Sequence, residues 1–243
     1  MKLVIVRHGD PDYEHDTLTE QGWKEAKLVA QRISQLDVKD FYVSPLGRAQ
    51  DTASCTLSMV HRTAKTYEWL REFSPRIMRP DVADQKMICW DWLPQDWTKE
   101  DSFFQVDSWA DMPVMKEGHV KEEYEWVCNS LDALLEEHGY KREGRYYRVL
   151  KPNNDTLVFF CHFGLECVLL SHLTNISPML LWHGFSAAPT SVTTVSTEER
   201  REAIAAFRVN SFGDLSHLYA AGEEPSFSAR FCECYKNADE RHD

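Results

Sequence analysis

Three runs of consecutive apolar residues, 3–6, 41–43 and 156–161, read as short strands buried on both faces. Between the first two, Trp23, Ala26, Ala30, Ile33 and Leu36 recur at helical spacing. Thr19 is placed to cap that helix and Glu20 lies in its first turn. Strand, helix and strand within about 45 residues form a βαβ unit, which implies a parallel sheet with a right-handed crossover. Ser44 and Pro45 suit the start of a second helix, with Arg48 in its first turn. Residues 65–73 read as a short extended segment leading to Leu70-x-Glu72. Val120, Tyr124, Val127, Leu131 and Leu134 mark a long amphipathic helix ending at Gly139. Residues 141–145 form a basic turn, read as a solvated hairpin tip. The run 156–161 ends in His162, and a helix carrying Leu165, Val168, Leu169 and Leu173 follows. Residues 191–196 and 203–209 predict an antiparallel pair around a polar turn at 197–201, and 212–218 a loop.

These elements predict a three-layer α/β/α fold. Its central sheet is mostly parallel, with one antiparallel edge strand and an insertion covering the edge where a site would lie. The chain reads as a single domain, 1–243. Residues 73–152 are its insertion or lid region and 220–243 a polar C-terminal tail. The insertion holds Trp90, Trp92, Trp97 and Trp109, which read as its own small core, with a substrate wall as the alternative.

Composition narrows the classes. The 243 residues are 43% hydrophobic and 27% charged, ordinary for a soluble domain. No apolar run approaches the ~20 residues a membrane span needs, and the first residues carry no signal-peptide pattern. The 7 cysteines have no framework spacing, so they read as reduced thiols of a cytoplasmic protein. A net charge of −12 argues against nucleic acid and anionic membranes as partners. It leaves room for a small phosphorylated substrate in a local positive pocket.

Arg7, His8, Arg48 and His162 all fall at C-terminal strand ends or at the helix starts just beyond. Ligands of open α/β sheets bind at that edge. Two guanidiniums, two imidazoles and helix N-termini describe a phosphate-binding pocket for a tetrahedral dianion. One imidazole can attack phosphorus and form a phosphohistidine. A carboxyl must then protonate the leaving oxygen. Glu72 lies where the chain re-approaches the site and is the best candidate, with Asp10, Asp12 and Asp91 as alternatives. No metal motif is present, and the spacing of Cys232, Cys234 and His242 fits no standard zinc site. Neither a metal nor another cofactor is expected.

The pattern resembles the histidine phosphatase superfamily, the phosphoglycerate-mutase-like proteins, in its larger branch with an Arg-His-Gly opening. The resemblance rests on Arg7-His8-Gly9, the helix start from Leu18 to Gly22, and Ser44-Pro45-Leu46-x-Arg48-Ala49-x-x-Thr52-Ala53. Leu70-x-Glu72 and His162 complete it. It implies His8 as the phosphorylated nucleophile, Arg7, Arg48 and His162 as phosphate ligands, and Glu72 as the proton donor. Three departures stand out. Phe163 follows His162 where the family has Gly. Asp10-Pro11-Asp12 replaces the mutase Glu-Ser, and Phe73-Ser74-Pro75 replaces the mutase continuation after Glu72. The last two favour a metal-independent phosphatase over a mutase. Phosphoglycerate mutase-type transfer and a non-catalytic phospholigand-binding module are the alternatives.

Overall fold

The computed structural model describes residues 1–82, 84–228 and 230–242. Its centre is β1 (Lys2–Arg7), whose side chains alternate between two cores. Leu3 and Ile5 face one apolar cluster, and Val4 and Val6 face the other. α1 (Glu20–Ile33), β2 (Asp40–Val43), α2 (Gly47–Val60) and β3 (Lys65–Thr66) follow. α3 (Val120–Glu137), the hairpin β4 (Tyr140–Glu143) and β5 (Tyr146–Val149), β6 (Thr156–Cys161) and α4 (Phe163–Thr174) come next. α5 (Pro178–Gly184), β7 (Val192–Arg201), β8 (Ile204–Asp214) and α6 (Ser216–Ala220) complete the order.

One eight-stranded sheet runs β3-β2-β6-β1-β7-β8-β5-β4. The first four strands are parallel. From β1 onward every pair is antiparallel. The expected layers and parallel centre are present, but the antiparallel part is four strands wide rather than one. The polar stretch 197–201 belongs to β7, and the turn itself is at 202–203, with Ala203 at φ 63°. Residues 212–214 extend β8, and α6 occupies most of the remaining expected loop.

α1 and α2 cover one face of the sheet through Val29, Ile33, Ala49 and Ala53. α3, α4, α5 and the insertion cover the other through Val127, Leu131, Val168, Trp182 and Trp109. Thr19 caps α1, its hydroxyl accepting from the Gly22 amide at 3.0 Å; such a cap contributes about 1 kcal/mol. Leu36 lies beyond the helix and is 37% exposed. In the insertion Trp92 and Trp109 are core residues, and Trp109 meets Trp182 edge to face at 5.6 Å. Arg142 is turned inward rather than solvated. It donates to the His172 carbonyl and the Asn175 side chain at the end of α4.

Candidate active site

Strand register creates the site. Arg7 pairs with Cys161 across β1 and β6, so His8 and His162 emerge side by side at the same sheet edge. Their ring centroids are 5.1 Å apart. Val43 pairs with Phe160, which sets Ser44 beside them. Ser44 does not cap α2, whose N-cap is Leu46. Its hydroxyl accepts from the Leu46 amide at 3.2 Å and lies 2.7 Å from His162 Nε2. With the hydroxyl proton given to Nε2, the imidazole proton would sit on His162 Nδ1. That atom is buried with no partner among the described residues.

His8 is 1% exposed, and its Nδ1 lies 2.7 Å from the Gly9 carbonyl. A carbonyl only accepts, so Nδ1 carries the proton and Nε2 keeps its lone pair. Burial first, then Arg7 and Arg48, push His8 well below its ordinary 6.5, and the ring is neutral at pH 7. The backbone on either side is clamped. The His8 amide donates to Cys161, and its carbonyl accepts from Thr190 at 3.1 Å. The Gly9 amide donates to Thr52 Oγ1 at 2.9 Å, and Thr52 in turn donates to the Arg48 carbonyl. A Cβ on Gly9 would sit 2.7 Å from the Gly22 carbonyl oxygen and one on Gly22 2.2 Å from the Asp10 carbonyl oxygen, so the loop after His8 and the start of α1 pack backbone against backbone.

Arg7 is buried, with Nη1 donating to the Ala187 carbonyl. Arg48 lies against Asp16 at 2.6 Å. Both arginines have a buried Nε without an acceptor among the described residues. Glu72 Oε1 accepts from the amides of Phe73 at 2.8 Å and Leu165 at 3.0 Å, the latter in the first turn of α4. Burial raises the Glu72 carboxyl above its ordinary 4.5, opposed by those two amides and by Arg7 and Arg48. Asp10 and Asp12 are occupied elsewhere. Asp10 accepts from Thr19 and Ser228, and Asp12 holds His15 and its own turn. All five residues expected from sequence thus converge on one spot.

Phe163 leaves His162 at the N-cap and takes the first helical position of α4. Its ring meets Trp90 edge to face at 6.0 Å. Gly164 follows, and a Cβ there would lie 2.8 Å from both Glu72 Oε1 and Trp90 Cζ2. Gly164→Ala is therefore expected to displace the acid. Its expected effects are a loss of about 1–3 kcal/mol in a denaturant titration and a fall in turnover larger than the change in KM.

Two residues were missed. Glu166 is buried in α4, and burial lifts it to about 7, opposed by a hydrogen bond from Thr193 and the charge of Arg7. A lone acid in an otherwise apolar helix was its visible signal. Thr190 braces the His8 carbonyl from a φ of 58°, rare for a β-branched residue, with His217 Nε2 3.1 Å from its hydroxyl. No sequence signal marks it.

A cavity of about 730 Å³ opens beside the cluster, walled by Asp91, Trp92, Phe163, Trp182, Phe185 and Ala187 among others. Trp92 is thus both a core residue and part of this wall. Asp91 has φ 65°, and burial pushes its carboxyl up to about 6, opposed by Arg241, Arg79 and Arg7.

The same architecture occurs in solved structures. A mutant of the phosphoserine phosphatase from Entamoeba histolytica, in complex with phosphoserine, superposes with a TM-score of 0.61 at 19% identity, covering 89% of this chain and 98% of that one. A mycobacterial glucosyl-3-phosphoglycerate phosphatase superposes with a TM-score of 0.53 at 18% identity over 87% and 98%. By sequence, the chain is 31% identical over 83 residues to a 2,3-bisphosphoglycerate-dependent phosphoglycerate mutase from Thermoplasma acidophilum. That match spans 30% of this chain and less than half, 42%, of the mutase. The model of the histidine phosphatase superfamily, branch 1, matches residues 3–210. Since that match runs from the central strand through most of β8 and takes in every residue of the cluster, the chain belongs to branch 1 of the histidine phosphatase superfamily.

Proposed function

We propose that the protein is a metal-independent phosphatase that hydrolyses a small phosphomonoester through a phosphohistidine on His8. The observation that carries this reading is a set of three buried, unpartnered nitrogens, Arg7 Nε, Arg48 Nε and His162 Nδ1, beside a neutral imidazole with a free Nε2. Buried donors are almost always satisfied, and two buried guanidinium donors without an acceptor beside this imidazole call for an anion with several oxygens. The equatorial oxygens of a phosphoryl group in flight meet that demand.

In the first step His8 Nε2 forms a bond to phosphorus as the bond to the leaving oxygen breaks. Glu72 gives its proton to that oxygen. The imidazolium charge that develops is stabilised by the Gly9 carbonyl at Nδ1. In the second step Glu72, now a carboxylate, takes a proton from water as the water oxygen attacks phosphorus. The P–N bond breaks, inorganic phosphate leaves, and His8 returns neutral. The cavity beside the cluster, with Trp92, Phe163, Trp182, Phe185 and Phe231 among its walls, offers apolar surface to a leaving group, which suits hydrolysis better than shuttling phosphate within a small polar acid.

The mutase match over 83 residues favours a second reading, transfer between positions of a phosphoglycerate. With chelator present, the phosphatase reading expects inorganic phosphate as the main product and an acid-labile, base-stable phosphoenzyme in quench-flow. Isomerised phosphoglycerate with little free phosphate would replace it with the mutase. Absence of both turnover and any phosphoenzyme would leave a non-catalytic phospholigand-binding module.

A further inference from the structure

The cavity next to the cluster has a wall that does not come from the sheet. Arg230, Phe231 and His242, from the C-terminal segment, line it together with residues of the insertion. That segment is fastened down. The Ser226 amide donates to buried Glu25 at 3.1 Å, and Glu25 also accepts from the Asp10 amide at 3.1 Å. Ser228 donates to the Asp10 carboxylate. The tail is therefore tied to the loop that follows His8.

The charges facing the cavity are mostly answered. Arg79 is paired with Asp81 at 2.7 Å and also holds the carbonyls of Trp90 and Asp91. His183 uses both ring nitrogens, on the Trp92 amide and the Met179 carbonyl. His242 Nε2 lies 2.6 Å from the Asn237 carbonyl. Asp91 is within the field of Arg241, Arg79 and Arg7. Arg230 differs: its guanidinium lies over Phe227 at 4.6 Å, and its Nε is buried with no acceptor among the described residues. At the reaction centre Arg7 and Arg48 show the same unmet Nε, which the phosphatase reading assigns to the phosphoryl group. Arg230 repeats the feature on the wall of the adjoining cavity.

We infer that Arg230 binds a second anionic group on the substrate, and that preferred substrates are phosphomonoesters whose apolar leaving group ends in a carboxylate. The aromatic body lies against Trp92, Phe163 and Phe231, with the phosphate at His8 and the carboxylate at Arg230. This rests on the phosphatase reading above and names the specificity of the same site.

The test compares 4-carboxyphenyl phosphate and the longer 4′-carboxybiphenyl-4-yl phosphate with their methyl esters, in wild type, Arg230→Gln and Arg230→Lys. Wild type is expected to prefer the free acid at one of the two lengths by about tenfold in kcat/KM, the scale of one charge-assisted hydrogen bond. Arg230→Gln should bring that ratio close to unity, and Arg230→Lys should retain part of it. No preference at either length, or a preference that survives Arg230→Gln, overturns the proposal. Calorimetric binding of the matching arylphosphonates separates the two readings. If none of the esters is hydrolysed, the phosphatase reading fails, while the acid-over-ester ratio in binding still decides for or against Arg230.

Discussion

His8→Ala is expected to abolish turnover of p-nitrophenyl phosphate, by on the order of 10⁴-fold or more, because the side chain removed forms the bond to phosphorus. The effect should fall on kcat rather than on folding. What fixes this stretch is backbone: the amide to Cys161, the carbonyl from Thr190, and the register of β1 against β6. None of these involves the imidazole. The variant should keep its far-ultraviolet spectrum and lose only a few degrees of melting temperature. It should also still bind inorganic phosphate, because Arg7, Arg48 and His162 retain their unmet donors. In single-turnover experiments with labelled substrate no acid-labile label should appear on the protein. A variant that turns over at the wild-type rate would end the phosphohistidine mechanism. A variant that no longer binds phosphate would show that His8 has a larger share in the anion site than the nucleophile reading gives it.

The residues of this cluster were readable for a specific reason. In the parallel half of the sheet β1, β2 and β6 are buried on both faces, so their apolar runs stop where the chain reaches the ligand edge. The first polar residues after 3–6 and 156–161 are Arg7 with His8, and His162. The close approach of Gly9 and Gly22 is written as glycines because nothing larger fits. The antiparallel half was harder to read. The outer ends of β7 and β8 form a solvated ribbon, in which Arg208 pairs with Glu198 diagonally across the strands at 2.7 Å. Charged residues on both sides of such a ribbon look like a turn. The real turn carries no Gly or Asn, since Ala203 adopts the positive φ. Ser44 misled in another way. A Ser before Pro reads as a helix cap, but the hydroxyl is taken by an imidazole 118 positions away in sequence. Thr190 and the tail contacts of Asp10 and Glu25 are also long-range, and no local pattern encodes them.

Glu72→Gln is expected to split substrates by their leaving group. Glutamine keeps the shape and an oxygen for the Phe73 and Leu165 amides, but it has no proton to give. An alkyl phosphate, whose oxygen must be protonated to depart, should lose about 10²–10⁴-fold in kcat/KM. p-Nitrophenyl phosphate, whose leaving group departs as a stable anion, should lose far less in that parameter. Its second step still needs a base on water, so the phosphoenzyme should accumulate and a burst of nitrophenolate should precede a slow steady state. The pH dependence has a definite sign. Burial raises the Glu72 carboxyl, so the proton needed for the first step persists above 4.5 and is lost as pH climbs through the raised value. His8 is lowered, so its lone pair is available down to well below 6.5. Activity toward alkyl phosphates should therefore fall on the alkaline side through loss of the Glu72 proton, and Glu72→Gln should flatten that limb. An equal loss on both substrates with no burst would remove Glu72 from proton transfer. The same split found in Asp91→Asn instead would move the acid to the cavity wall, where a carboxyl already raised to about 6 lies within the field of Arg7.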